Sequence, residues 1–176
     1  MTQKNQSMNQ LFALGLMILA AAFSRFIPHP WNFTAVGAMA LFGGAYLPKR
    51  LSLIVPLAAL MLTDAILGFH NTMIFVYAAF AAIVALGWVL RSQRSVVKVG
   101  GMSLLASVLF FAVSNFGVWM MDGMYARTFE GLVQCYVAAI PFFGNQVGGD
   151  LFFSAVMFGG YEAAKSLAPS FLGQQS

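Results

Sequence analysis

Asp64 stands inside an apolar run, preceded by Leu60-Met61-Leu62-Thr63 and followed by Ala65-Ile66-Leu67. A carboxylate taken out of water needs a cation, hydrogen-bond donors or a ligand. Asn115, between Ser114 and Phe116, makes a similar demand with its amide. Other polar groups follow in three clusters. The first holds Arg25, His29, Trp31 and Asn32, and the second adds His70 and Asn71 to Asp64. The third runs from Asn115 through Trp119, Asp122, Arg127, Glu130, Tyr136, Asn145 and Gln146 to Asp150. Trp31, Trp119 and Tyr136 offer flat apolar surface. Asn32, Asp64, His70, Asn71, Asn115 and Asn145 offer orienting hydrogen bonds. Small-molecule pockets combine these two features. Each residue also has a plainer reading. Trp31 and Trp119 suit an interfacial aromatic belt, Arg25 can snorkel, His29 and His70 suit ordinary loops, and Arg25 can simply neutralise Asp64.

Catalytic signatures are absent. The chain has no HExxH, nucleophile elbow or Walker A loop. Two His and one Cys make no zinc spacing. The expectation is therefore a binding protein rather than an enzyme, with no cofactor and no metal site of its own. Work against a gradient would draw on ions or on a partner. Two rivals stand beside this reading. A small intramembrane enzyme would place acid–base pairs deep in the fold, and a non-transporting assembly subunit would enclose no cavity.

The elements that carry these residues are membrane helices. Only 8% of the 176 residues are charged and 60% are hydrophobic, with a mean hydropathy of +0.81. A soluble domain carries about 25% charged residues. The fold expected is all-α, a single transmembrane bundle over residues 1–176 with about six spans. Apolar runs cover residues 11–26, 33–47, 51–68, 72–90, 102–121 and 147–164, and about 20 apolar residues cross a bilayer. Residues 1–10 and 166–176 read as polar cytoplasmic ends. Residues 122–146 read as a long external loop. Its apolar stretch 131–143 would be interfacial or re-entrant, or would extend the last helix across Pro141.

Lysine and arginine set the orientation. With the N-terminus inside, Lys4, Lys49, Arg50, Arg91, Arg94, Lys98 and Lys165 fall on the cytoplasmic side, and only Arg25 and Arg127 outside. The basic residues are spread through short gaps, so the pI near 9.5 indicates no nucleic-acid partner. All three polar clusters then gather at the outer end. Two stripes of small residues, Gly37/Ala40/Gly44 and Ala155/Gly159/Ala163, suit close helix packing or docking to another membrane protein.

The strings Pro28-His29-Pro30-Trp31-Asn32-Phe33-Thr34, Ala40-Leu41-Phe42-Gly43-Gly44-Ala45-Tyr46, Leu62 to His70, Ser114 to Trp119 and Ala138 to Phe143 resemble an uncharacterised bacterial six-helix transport family. That family in turn is similar in architecture to the substrate-binding S components of energy-coupling-factor vitamin transporters. The resemblance implies an inner-membrane protein with both termini in the cytoplasm. It would import a small vitamin-like solute through an outward pocket, with an energising membrane module and its ATPases as a possible partner. The nearest likeness is to solitary cobalamin-binding S components, which use a Cys near the third external connection as a cobalt ligand. Here that stretch holds His70, whose imidazole can ligate a substrate metal. The first helix departs from the family's small-residue coupling pattern, with Met17 between Ala13 and Ala21.

Overall fold

The computed structural model describes residues 3–169, with side chains from Ser7 onward. Residues 1–2 and 170–176 of the expected terminal segments lie outside the described residues. Helix α1 spans Gln3–Phe23 and ends in a 3-10 turn at Ser24–Phe26. It is followed by α2 (Val36–Tyr46), α3 (Lys49–Leu67), α4 (Met73–Val89), α5 (Val96–Met121) and α6 (Phe129–Ser154). A π-helical stretch, Ala155–Gly159, joins α6 to α7 (Gly160–Leu167). The backbone stays right-handed helical through both junctions, so the last three segments form one rod. The described residues are an all-α bundle.

Three stretches are long and apolar enough to cross a membrane by length and composition: Ser7–Phe26, Lys49–Leu67 and Val96–Met121. The bundle's outside is apolar as well. Leu16, Ile54, Ile66, Ile74, Val108 and Ile140 are all exposed, as a lipid-facing surface requires.

The second run is not a full span. Helix α2 has 11 residues, about 16 Å at 1.5 Å per residue, half of a roughly 30 Å hydrocarbon core. It is the innermost element. Every residue from Val36 to Ala45 is buried, and α2 touches α1, α3, α4, α5 and α6. Small residues permit this enclosure. A Cβ at Gly44 would stand 2.2 Å from the Val84 carbonyl oxygen, and one at Gly87 would stand 2.3 Å from that of Leu41. At Gly43 the space goes to the Pro56 ring of α3. The Gly37/Ala40/Gly44 stripe is thus used for internal packing. The Ala155/Gly159/Ala163 stripe is exposed.

The expected loop 122–146 shrinks to residues 122–128. Thr128 caps α6 by accepting the Gly131 N–H (3.2 Å), and helix then runs through Pro141. Residues 131–143 are therefore the first half of the last rod. They pack on α5 through the Phe111–Tyr136 and Phe111–Phe143 ring pairs.

At the basic end, Arg91 and Arg94 do more than carry charge. Arg91 donates to the carbonyls of Gly44 (3.0 Å) and Leu47 (2.5 Å), and Arg94 donates to Ala45 (3.0 Å). The last carbonyls of a helix have no partners within it, and here two guanidinium groups supply them. Tyr46 donates to Glu162 (2.6 Å), tying α2 to α7.

Candidate functional site

Because α2 starts halfway along the bundle, the space beyond its first turn is left to the connection 27–35 and to a cavity of about 220 Å³. Irregular backbone at such depth is tolerated where it lines a cavity. Asn32 adopts a left-handed conformation, φ 62°. Asparagine accepts this more readily than most residues. Its carbonyl accepts the Thr34 N–H (3.1 Å). This turn leads the chain down to Val36.

The polar wall comes from Arg25, Asn32, Thr34, Asp64, His70, Gln146 and Asp150, and the apolar wall from Val36, Leu60, Val76, Phe80 and Phe110. Helices α1 to α6 and the connections 27–35 and 68–72 all contribute. Asp64 is 1% exposed and fully engaged. One oxygen accepts from Arg25 (2.5 Å) and the other from the Tyr77 hydroxyl (2.9 Å). Arg25 also donates to Thr63 (2.5 Å). The ends of α1 and α3 and the face of α4 are locked together at the cavity's rim. His70 is exposed at the mouth, with Nδ1 2.8 Å from the Thr72 hydroxyl, which turns Nε2 away as its free nitrogen.

Gln146 and Asp150 form the deep end. Gln146 donates to the Ser107 carbonyl (2.9 Å), and the Ser107 hydroxyl donates to Asp150 (2.7 Å). A Cβ at Gly37 would fall 2.2 Å from an Asp150 oxygen. Only glycine lets this carboxylate lie against the first turn of α2.

Of the site residues expected from sequence, Asn32, Asp64 and His70 line the cavity. The others do not. Trp31 is 77% exposed, and Asn71 and Asn145 are exposed. Asn115 donates to the Phe111 carbonyl of its own helix (2.8 Å). Trp119 donates to Ala126 (3.0 Å), closing the turn before α6. Tyr136 donates to Ala112. Tyr136 and Asn145 fall in the segment expected to be a loop. Their helix instead fixes one against α5 and turns the other to the bundle's outside. Gln146 and Asp150 belonged to the same polar cluster but were not singled out. Their signal was present in Gln146-Val147-Gly148-Gly149-Asp150, polar groups framed by small residues that admit close neighbours.

A second cavity, about 370 Å³, lies at the basic end. Its walls are largely apolar, from Val96, Val99, Leu151 and Phe158. Tyr46 donates to Glu162, and Arg94 lies over the Tyr46 ring, 4.5 Å from its centroid, with its Nε buried and unpartnered among the described residues. The first cavity is the better candidate, since its wall carries a buried carboxylate, Asp150, that Ser107 alone meets among the described hydrogen bonds.

Asp64 carries a prediction. Asp64→Ala should lower unfolding stability by about 1–3 kcal/mol, because it strands the Arg25 guanidinium and the Tyr77 hydroxyl. Asp64→Asn should cost less, since the amide oxygen still accepts. Thermal unfolding in detergent ranks the pair. Wild-type stability in both variants would mean that water already satisfies Arg25.

Among the described residues, no group of three or more His, Cys, Asp or Glu could hold a metal ion. A model described as a family of unknown function, DUF6580, matches residues 5–171. No curated protein and no solved structure matches the chain. The chain belongs to the DUF6580 family.

Proposed function

We propose that this member of the DUF6580 family is a multi-pass protein of the bacterial cytoplasmic membrane that binds a small, vitamin-like solute and imports it. One observation carries the reading: a polar-lined cavity, open at one end of the bundle, whose floor is a buried half-length helix. Asn32, Asp64 and His70 sit at its rim and Gln146 and Asp150 at its base. The volume suits a solute of one or two rings, since roughly 150 Å³ already accommodates benzene. A corrinoid macrocycle is too large for the interior and would have to lie across the mouth, against His70 Nε2.

Six passes with both termini in the cytoplasm fit the charge asymmetry, the second pass being shared by the connection 27–35 and the half-length α2. Lys49, Arg50, Arg91, Arg94, Lys98 and Lys165 cluster opposite the cavity, and the cavity end holds Arg25 and Arg127. The cavity then opens outward. Inward delivery would need ions or an energising module with ATPases, as the likeness to S components implies. Binding is favoured over catalysis because Arg25 and Tyr77 occupy both Asp64 oxygens.

The test has two arms. A vitamin and metabolite panel should yield a compound that raises the thermal midpoint of the purified protein, and Thr34→Trp, which fills the cavity, should abolish that shift. In intact spheroplasts of a Cys135→Ser background, cysteines near Asp122 should react with impermeant thiol reagents and cysteines at 91–98 should not. A binder indifferent to Thr34→Trp would remove the cavity from the proposal. Reversed labelling would remove its outward orientation.

A further inference from the structure

We propose that the deep end of the cavity is a subsite for a cationic nitrogen, an ammonium or amidinium group carried by the solute, with the Asp150 carboxylate as its counter-charge. The inference rests on the solute-binding reading above and adds the chemical class of the solute.

Asp150 is 5% exposed and lines the cavity. Among the described residues, no Lys, Arg or His lies within 4.0 Å of it. Its one hydrogen bond comes from the Ser107 hydroxyl. That hydroxyl has a single proton, which it shares with the Ser103 carbonyl (3.1 Å). A buried carboxylate so poorly matched is costly unless something else supplies donors or charge. Asp64 shows the contrast within the same cavity. Arg25 neutralises it and Tyr77 fills its second oxygen. Across the lining ionised groups, Arg25 cancels Asp64 and the Asp150 charge is left over. The α2 N-terminus, carrying roughly half a positive charge, lies against Asp150 and offsets part of it. No α2 backbone N–H donates to the carboxylate among the described hydrogen bonds.

Gln146 strengthens the case. Its amide nitrogen is committed to the Ser107 carbonyl, which leaves the amide oxygen as an acceptor. The deep end is therefore rich in acceptors and short of donors. The walls agree with a cationic ring. Phe80 and Phe110 stand 5.0 Å apart between ring centroids, and aromatic faces attract cations. An amidinium presents two parallel N–H donors to a carboxylate, the strongest form of charge-assisted pairing.

Benzamidinium, benzamide and benzoate are near-isosteric and differ in charge and donors, so they serve as probes. Equilibrium binding to the purified full chain at neutral pH should favour benzamidinium over benzamide by tenfold or more, with benzoate weakest. Asp150→Asn retains an acceptor for Ser107 and should erase the preference by weakening benzamidinium alone. Thr34→Trp should weaken every probe that binds. Equal binding of benzamide and benzamidinium, abolished by Thr34→Trp, would overturn the cationic subsite and leave the cavity a solute site. A preference that survives Asp150→Asn would also overturn it. If none of the three binds the wild-type protein, the inference fails, and the solute panel above then decides separately whether the cavity is a binding site.

Discussion

Gly44→Ala should destabilise the bundle by about 1–3 kcal/mol, although it adds one methyl group. The new Cβ would stand 2.2 Å from the Val84 carbonyl oxygen and 2.9 Å from the Gly87 Cα. Both obstacles are backbone, so no side-chain rotation relieves them, and α2 and α4 must separate. Gly87→Ala meets the mirror-image collision with Leu41 and should cost a similar amount. The double variant should cost less than the sum, because one separation of the two helices relieves both clashes. Gly101→Ala is the control. Nothing lies within 4 Å of its added methyl, and alanine is the better helix former, so stability should hold or rise by up to about 1 kcal/mol. Denaturant or thermal unfolding in one detergent ranks the four proteins. If Gly44→Ala matches Gly101→Ala, the contact between α2 and α4 is looser than described and α2 is not fixed as the cavity floor.

Arg91→Ala should be at least as damaging, at about 2–4 kcal/mol. It removes two charge-assisted hydrogen bonds at once and leaves the Gly44 and Leu47 carbonyls unpartnered at the buried end of α2. Arg91→Lys separates two roles that share one charge. Lysine preserves the basic count on which the proposed orientation rests, yet its single ammonium cannot reproduce the guanidinium's fork. The expected result is unchanged topology with an intermediate loss of stability. Arg94→Ala should cost less than Arg91→Ala, since Arg94 makes one such bond and a contact over the Tyr46 ring. If Arg91→Lys is as stable as wild type, the arginine acts as charge alone. The C-terminus of α2 is then satisfied by other means.

Both results depend on one arrangement, a half-length helix with each end buried. Its last carbonyls are met by two arginines. Its first turn faces Asp150 and a cavity. The cavity exists because α2 is short, and α2 can be short and central because Gly43, Gly44 and Gly37 let Pro56, Gly87 and Asp150 approach it. Packing at one end of the molecule and the cavity at the other are therefore two consequences of the same helix.

Composition alone was enough for the all-α class, because a chain with 8% charged residues cannot cover a water-facing surface, and in lipid helices satisfy their own backbone. Sequence also singled out Asp64 and named Arg25 as its partner, since a carboxylate among leucines has few ways to be paid for. Asn32, Asp64 and His70, grouped by sequence at one end, line one cavity, because all three lie in or beside connections at the same end of the bundle. Tertiary structure decided the rest. The run 33–47 has the composition of a span, and only the fold shows that its first residues belong to a non-helical connection. Residues 131–143 were compatible with a loop, because Pro141 and neighbouring glycines break helices in water, whereas packing against α5 holds the helix through them. Arg91 and Arg94 read as orientation signals. Which carbonyls they reach depends on how α2 is set beside the 90–95 connection. Asp150 was visible as a polar residue but not as a site, because an unmet charge is a statement about neighbours. The residues that surround it, Gly37, Ser107 and Gln146, lie 113, 43 and 4 positions away, and only the folded bundle shows that none of them brings a cation.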